Sequence, residues 1–567
     1  VDKLDFTFGG MKMGNKRIKW GNVIMFLLII SAAVAAIIYK NPGTVDNIFN
    51  SGSKKQQVDK GLDKNNGSGI DIYDYEGTAK EDDKAPSGDE FVMGLDSWIG
   101  GTPALMGLGR GYNNDYSLNL KLKYIPNDGD RIVALKNGII NATEMSLPAF
   151  IRFQEKYPDS AVIVGITDFS RGADGIVAKS DVKNLNDMEG RKVSYVSDGT
   201  GKFILNKFLR LTGLRYQDIE PIERKEMSDV VDDLKSGKAD LIVSWSPDMN
   251  IAIKEINAEK PNTVKMLINT KEVPNLVPTV LVVNKKTLEN NPDRVEAFLK
   301  TWYASVKYIV EKPDKAYEKL AQMMSEREED YGEVTKKDVK ESFSSIKLMT
   351  LNDNFSYFGL NGKEEMFTPI INDTAQTWKK YGDMAASTVI PDNIVNSTFI
   401  KKLRDSKDDE LLVGVLDSSL TGNTSQDDET QKDFKKQDET SVDINTEKVA
   451  KVDIPPVYYD TGKATVKKES LAVLNEVVNI LKQFPTYYLI IDAHTDTVGS
   501  DAENLKLSRD RADTVKKYLE TQGINSNRLV ARGFGESKPI VAGEKTEADR
   551  AKNRRTEFTL TREATTK

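Results

Sequence analysis

The chain has 567 residues, a net charge of −7, a single histidine and no cysteine. A length of this order needs more than one hydrophobic core, and so mild a charge leaves no electrostatic footprint for nucleic acid. Without cysteine there is no disulfide, thiolate metal site, cysteine nucleophile or lipid-carrying cysteine, and with His494 alone no multi-histidine metal site or histidine-based triad exists elsewhere.

In chain order, residues 1–19 carry Lys12, Lys16, Arg17 and Lys19 ahead of WGNVIMFLLIISAAVAAIIY (Trp20–Tyr39), which has no charged residue. About 20 apolar residues rising ~1.5 Å each match a hydrocarbon core of ~30 Å. The excess of lysine and arginine before the run places residues 1–19 in the cytoplasm and everything after Lys40 on the far side. The expected element is an uncleaved signal anchor, one transmembrane helix over 20–39. The competing reading is a signal peptide cut near Ala33-Val34-Ala35. Residues 40–88 and 406–449 are rich in Gly, Asn, Asp, Ser and Lys without sustained period, and read as a flexible linker and an acidic, polar linker.

Between 89 and 405, apolar β-rich runs alternate with helical spacing. Strands are predicted at Phe91–Leu95, Leu118–Ile125, Ala161–Ile166, Lys192–Val196, Ala239–Trp245 and Thr279–Asn284, and helices at Leu147–Tyr157, Lys202–Leu214 and Met227–Gly237. This alternation predicts open α/β sheets. The segments DSWIGGTPALMGLGRG, DFSRGADGIVAK, LNDMEGRKVSYVSDGTGKFILNKFLRLTGL, LKSGKADLIVSWSPDM and NNPDRVEAFLKTWYASVKYIVEKP follow in an order that resembles the periplasmic substrate-binding proteins of the nitrate/sulfonate/taurine type. That resemblance implies two lobes, about 89–178 plus 279–405 and 179–278, closing on a small ligand. Ser97, Trp98, Gly101 and Thr102 mark one corner of the expected cleft, and Ser197, Gly199 and Thr200 another, with Ser170, Asp174, Trp245 and Asp248 on neighbouring loops. Glycine turns at helix starts favour an anion or carbonyl oxygen, but open helices in any α/β protein. Asp96, Asp174, Asp198 and Asp248 fit an amine or serve as turn caps. Carboxylates paired with a nucleophile or at metal spacing do not appear, so no catalytic residue, metal or cofactor is expected.

From 450 to 562 the reading is sharper. VYYDTGKATV (Val457–Val466) is predicted to be a strand running into a turn, and Leu471, Leu474, Val477, Val478 and Leu481 share one helical face. YYLIIDAH (Tyr487–His494), RLVARGFG (Arg528–Gly535) and TEFTLT (Thr556–Thr561) are predicted strands around a helix near Leu505–Tyr518. His494-Thr495-Asp496, Gly499, Asn504, Leu507-Ser508, Arg511-Ala512, Val515, Gly533, Gly535-Glu536, Pro539 and Asn553-Arg554-Arg555 resemble the OmpA-like peptidoglycan-binding family over the whole segment. The resemblance implies that Asp496 takes the ammonium of diaminopimelate in the peptidoglycan stem and Arg511 its carboxylate. Thr495, Asn504 and Leu505 assist, and Arg555 is a further contact. The competing role for Asp496 and Arg511 is a surface ion pair. His494, with no partner histidine, is expected to pack and hydrogen-bond.

Together these readings give an α/β chain: one N-terminal transmembrane helix, a two-lobed periplasmic-binding-protein-like domain (89–405), a C-terminal α+β OmpA-like domain (450–562) and a short tail (563–567). The expected protein is a non-enzymatic envelope receptor, single-pass in the bacterial inner membrane with its bulk in the periplasm. Its expected partners are peptidoglycan, an unknown small molecule and a membrane protein. A purely structural tether and the solute-binding component of an ABC-type uptake system are the alternatives. An ion-motor stator subunit is disfavoured, because Trp20–Tyr39 has no ionisable residue.

Overall fold

A computed structural model describes residues 85–413 and 434–564, apart from positions 198, 389, 391 and 461. The expected helix at 20–39, the linker at 40–84 and Asp198 lie outside the described residues. Among the described residues, no helix is long and apolar enough to cross a membrane.

The first sheet has six strands in the order β11-β4-β10-β3-β1-β2. These are β1 (Glu90–Leu95), β2 (Asn119–Tyr124), β3 (Ala142–Ser146), β4 (Ala161–Ser170), β10 (Pro278–Asn284) and β11 (Ile346–Leu348). β1 runs parallel to β2 and β3, while β10 is antiparallel to β3 and β4. Every residue of β4 and β10 is buried, as central strands covered on both faces require. Helix α1 (Pro103–Arg110) follows β1, α2 (Asp128–Lys136) follows β2 and α3 (Leu147–Lys156) follows β3. Asn127 caps α2 through Gly129 N, and Ser146 caps α3 through Ala149 N.

The second sheet has five strands, β7-β6-β8-β5-β9: β5 (Asp174–Lys179), β6 (Lys192–Val196), β7 (Glu220–Arg224), β8 (Leu241–Trp245) and β9 (Val264–Asn269). The sequence reading ended the first lobe at 178, whereas β5 is an inner strand of the second sheet. Residues 171–173 and 270–277 are therefore the two crossings between sheets. They hold each other: Ser170 N donates to Val277 O at 3.0 Å, Thr270 N to Asp174 O at 2.9 Å, and the Ser170 and Thr270 hydroxyls meet at 2.6 Å.

Helix α4 (Thr200–Thr212) opens the second lobe and ends at Gly213 in left-handed conformation (φ 75°). It is buried nearly all round, which for a helix carrying Lys202, Asn206 and Lys207 requires a partner for each. Helix α5 (Phe367–Lys380) and the turn after it supply them. Lys202 Nζ lies 2.8 Å from Asp383 Oδ1, Asn206 Nδ2 donates to Asp383 Oδ2 at 2.7 Å, and Lys207 and Arg210 share Asp373. On its other side α5 reaches the first lobe, where the Trp378 indole donates to Pro148 O at 3.1 Å.

The C-terminal sheet is β12-β15-β13-β14: β12 (Thr446–Val452), β13 (Tyr488–Ala493), β14 (Leu529–Gly533) and β15 (Thr556–Glu563), with α6 (Leu471–Gln483) and α7 (Asp501–Thr521). β13 and β14 are parallel; β15 is antiparallel to β12 and β13. Two sequence expectations are corrected here. Val457–Val466 is not a strand but a loop with one bridge, Tyr459 to Val466, and the edge position belongs to β12, inside the stretch read partly as linker. The run carries aromatic and β-branched residues, but Pro455-Pro456 precede it and the Asp460–Lys463 turn interrupts it. Leu471, at the first turn of α6, is 36% exposed, while Leu474, Val477, Val478 and Leu481 face the core.

This sheet rests on the second lobe. Arg562 Nη1 pairs with Glu272 at 2.7 Å and donates to Leu267 O at 3.1 Å, and Tyr487 OH also donates to Glu272 at 2.8 Å. The Asn186 amide clasps Lys451 N and O, and Asp453 N donates to Leu211 O at the end of α4.

Because Lys202 and Asn206 are buried, Asp383→Ala leaves the ammonium with Glu223 alone, 3.7 Å away, and the amide without this acceptor, and is expected to cost about 2–4 kcal/mol. Urea unfolding monitored by tryptophan fluorescence checks this; a loss below about 0.5 kcal/mol, as for a surface pair, would contradict it.

Candidate functional site

The best-defined polar corner lies where β13 gives way to α7. Ser500 caps α7 with a reciprocal bond to Glu503, and Asp501 and Glu503 occupy its first turn, which orients the helix start toward the end of β13. The loop after β14 packs directly on this helix. A Cβ at Gly533 would lie 2.4 Å from Arg509 N, and one at Gly535 (φ 52°) 2.9 Å from Leu505 N, so only glycine admits the contact. Thr495 N then donates to Gly535 O at 2.9 Å, fixing the residues that follow β13.

Asp496 is 8% exposed. Its Oδ1 accepts from Val498 N at 3.2 Å and its Oδ2 from Arg554 Nη1 at 2.5 Å. Asn504, also buried, donates to Asp496 O at 3.2 Å and to Glu536 at 2.7 Å. Arg511 comes from the second turn beyond. Its guanidinium lies over the Tyr459 ring at 4.8 Å and its Nε donates to Lys463 O at 3.1 Å. Among the described residues its Nη groups have no partner, so a donor fork remains for an incoming acceptor. Burial lowers the Arg511 pKa, with the nearby Tyr459 and Asp496 opposing. Burial likewise pushes Tyr459 up to about 12.

The corner thus brings Thr495, Asp496, Asn504 and Arg511 together, with Leu505 exposed (48%) at its rim. Arg555 points elsewhere: its guanidinium goes to Glu557, Asn553 O and Lys538 O. Arg554 is the arginine against Asp496, and Asn553, fully buried, ties down Ile540 and Val541. The ion pair considered between Asp496 and Arg511 is made by Asp496 and Arg554 instead. Sequence spacing could not choose between adjacent arginines, because the turn after Asn553 decides which one faces β13.

His494 stacks on Phe534 (5.4 Å between centroids, 14° between planes), and among the described residues neither imidazole nitrogen has a partner. The expected packing role describes it; the expected hydrogen bond does not.

Of the residues expected around the cleft, Gly199 and Thr200 meet the first lobe and Ser170 and Asp174 lie at the crossing, while the others make their contacts within their own lobe. Ser97 is exposed, Trp98 N donates to Asp96 and its indole to Asp168 at 3.2 Å, and Thr102 bonds Ile99 O at 2.6 Å. Thr200 meets Ser146 of the first lobe at 2.8 Å, hydroxyl to hydroxyl, and a Cβ on Gly199 (φ 47°) would lie 3.1 Å from Ala149. Ser197 bonds Arg224 O, Ser170 is committed to the crossing, Trp245 ends β8 opposite Asp174, and Asp248 begins the helix Asp248–Glu259.

Comparison with known proteins places both modules. Residues 458–554 match the OmpA family model, and residues 100–316 match the NMT1/THI5 like model. The chain is 41% identical over 108 residues to outer membrane porin F of Pseudomonas fluorescens, a stretch that is 19% of this chain and 33% of that protein. The chain spans a third or less of the length of the first curated relatives it matches (33%, 12% and 31%). Similar solved structures include the periplasmic aliphatic sulphonate binding protein SsuA from Escherichia coli (15% identity, TM-score 0.43, 55% of this chain and 99% of that one). Another is the periplasmic nitrate-binding protein NrtA from Synechocystis PCC 6803 (14% identity, TM-score 0.44, 58% and 92%). This chain thus joins an α/β module that matches the NMT1/THI5 like model to a C-terminal domain that matches the OmpA family model.

Burial lowers the His494 pKa from 6.5 to about 4, so in acid the unfolded chain takes up a proton before the folded one. The contribution is intact above about pH 6.5 and lost as pH falls toward about 4. His494→Phe, which keeps the stack, is expected to remove this loss. Relative to the parent it should gain about 3 kcal/mol across that window in pH-resolved urea unfolding. A difference that does not change with pH would contradict the buried, neutral imidazole.

Proposed function

We propose that the chain is a bacterial envelope protein that holds peptidoglycan through its C-terminal domain and carries a small-molecule receptor in its two-lobed domain. The convergence of Asp496, Asn504 and Arg511 on one corner carries the wall-binding half. A carboxylate and a partly unengaged guanidinium side by side suit a zwitterion such as the diaminopimelate side chain, whose ammonium and carboxylate need one acceptor and one donor fork. The OmpA family match over 458–554 supports the same reading. The receptor half is supported by two sheets joined through a pair of crossings, the arrangement that lets lobes close on a ligand. In this reading Trp20–Tyr39 is a single-pass anchor in the inner membrane and the described residues lie in the periplasm. The role is binding rather than catalysis, and a membrane protein partner would read out lobe closure.

One observation favours the second reading, a tether whose lobes no longer work as a receptor. Helix α5 braces α3 and α4 together, through Trp378 on Pro148 O and Asp373 on Lys207. Such a brace resists opening.

Pelleting with diaminopimelate-type sacculi tests the wall-binding half. The full chain is expected to sediment with them. Asp496→Ala and Arg511→Ala should each reduce binding at least tenfold, about 1.4 kcal/mol, while the circular dichroism spectrum is retained. Unchanged pelleting by both variants would sink the assignment.

A further inference from the structure

Carboxylates gather where the strands of the first lobe end. Asp96 follows β1, Asp128 begins α2, Glu144 lies on β3, Asp168 on β4, and Asp174 stands across the crossing at the start of β5. Among the described residues the cation that reaches them is Arg131, which bonds Asp96 at 2.8 Å and pairs with Asp128. Asp168 is satisfied by neutral donors instead: the Trp98 indole and the hydroxyls of Thr167 (2.9 Å) and Thr279 (3.1 Å).

Glu144 is the unusual member. It is 1% exposed, and among the described residues no donor reaches either of its carboxylate oxygens, its charged neighbours being the Asp96 carboxylate and, opposing it, the Arg131 guanidinium; Oδ2 of Asp174, at 3% exposure, also has no donor among them. Buried carboxylates without donors are costly, so each one in a folded protein calls for a physical reason. Protonation is one way to bear the cost, and burial does push these groups up: Glu144 well above the usual range, Asp168 to about 7 and Asp174 to about 6. A bound cation is the other way.

Three features place the cluster at a ligand position rather than in an ordinary core. Glu144 lies two residues before Ser146, whose hydroxyl touches Thr200 of the second lobe, and Asp128 Oδ2 is 3.6 Å from a Cβ built on Gly199 of that lobe. The turn before α1 is bare where it meets the acids. A Cβ at Gly101 would stand 3.1 Å from Glu144 Cδ, and one at Gly100 only 2.0 Å from Asp168 Oδ2. Aromatic rings adjoin the same place: Trp98 bridges Asp96 and Asp168, and Tyr331, edge-on to Tyr124 at 5.5 Å, has its pKa raised by burial and then by the charges of Glu144 and Asp96. Acids beside aromatic faces are the chemistry of ammonium recognition.

We propose that the two-lobed domain binds a small organic cation bearing an ammonium group, with Glu144 as its principal counter-charge and Asp168 and Asp174 beside it. This rests on the receptor reading above and names its ligand class. It differs from the anion that the glycine-rich helix starts suggest.

Thermal-shift and calorimetric titration of the full chain with choline, putrescine, ethanesulfonate and nitrate, at matched ionic strength, separates the possibilities. Choline or putrescine is expected to raise the melting temperature, and Glu144→Gln to weaken that ligand at least tenfold. If Glu144→Gln does not fold, the same loss is required of Asp168→Asn. A response to ethanesulfonate or nitrate with none to the amines would overturn the cationic class while leaving a receptor. No response to any of the four would overturn the receptor reading as well. A response to amines that Glu144→Gln and Asp168→Asn both retain would place the ligand elsewhere and refute the site.

Discussion

The described fold hangs on helix α4 and the ions that let it be buried. Its lysines and asparagine would be prohibitively costly in the interior if Asp373 and Asp383 did not meet them. With those pairs in place, a single helix of 13 residues has each end at a different kind of surface. Its first turn touches Ser146 at the junction of the lobes, and its last turn offers Leu211 O to Asp453 of the C-terminal domain. At about 1.5 Å per residue the two ends are some ~20 Å apart. The OmpA family domain is thereby seated on the second lobe, through α4, through Asn186 on Lys451, and through Glu272 on Arg562 and Tyr487.

Electrostatics distinguish the two candidate sites. At the corner after β13, opposite charges are presented together and are partly engaged with each other, so a zwitterion exchanges existing contacts for equivalent ones. In the first lobe the balance is one-sided: Arg131 pairs with Asp96 and Asp128 and is the cation nearest Glu144, whose oxygens meet no donor among the described residues. A chain that carried only a spacer between its ends would gain stability by replacing such a group with an apolar one.

Much of this was readable from periodicity. The runs FVMGL, KVSYV and TVLVVN form strands within a residue of where they were predicted, because buried strands need continuous apolar side chains. The helices at 147, 202 and 227 follow for the parallel reason at helical spacing. The strands that escaped are charged or short: ATEMS hides a glutamate, EPIER is an edge strand with a proline, and β12 alternates lysine with alanine and valine. The members of the C-terminal corner were nameable because they sit in one short motif. The acid cluster was glimpsed only through Asp96 and Asp174, since Glu144 and Asp168 lie inside strands and Arg131 inside a helix. Pairs such as Lys207 with Asp373 join residues far apart in the chain, and no local pattern announces them.

The central claim is that the C-terminal corner reads a zwitterionic stem-peptide side chain, and a crystal structure of the protein with a diaminopimelate-containing muropeptide tests it most directly. The account predicts the ammonium within hydrogen-bond distance of Asp496 and the carboxylate on the Nη groups of Arg511, with Tyr459 still beneath that guanidinium. A muropeptide bound elsewhere, or bound here with neither Asp496 nor Arg511 touching it, would contradict the account.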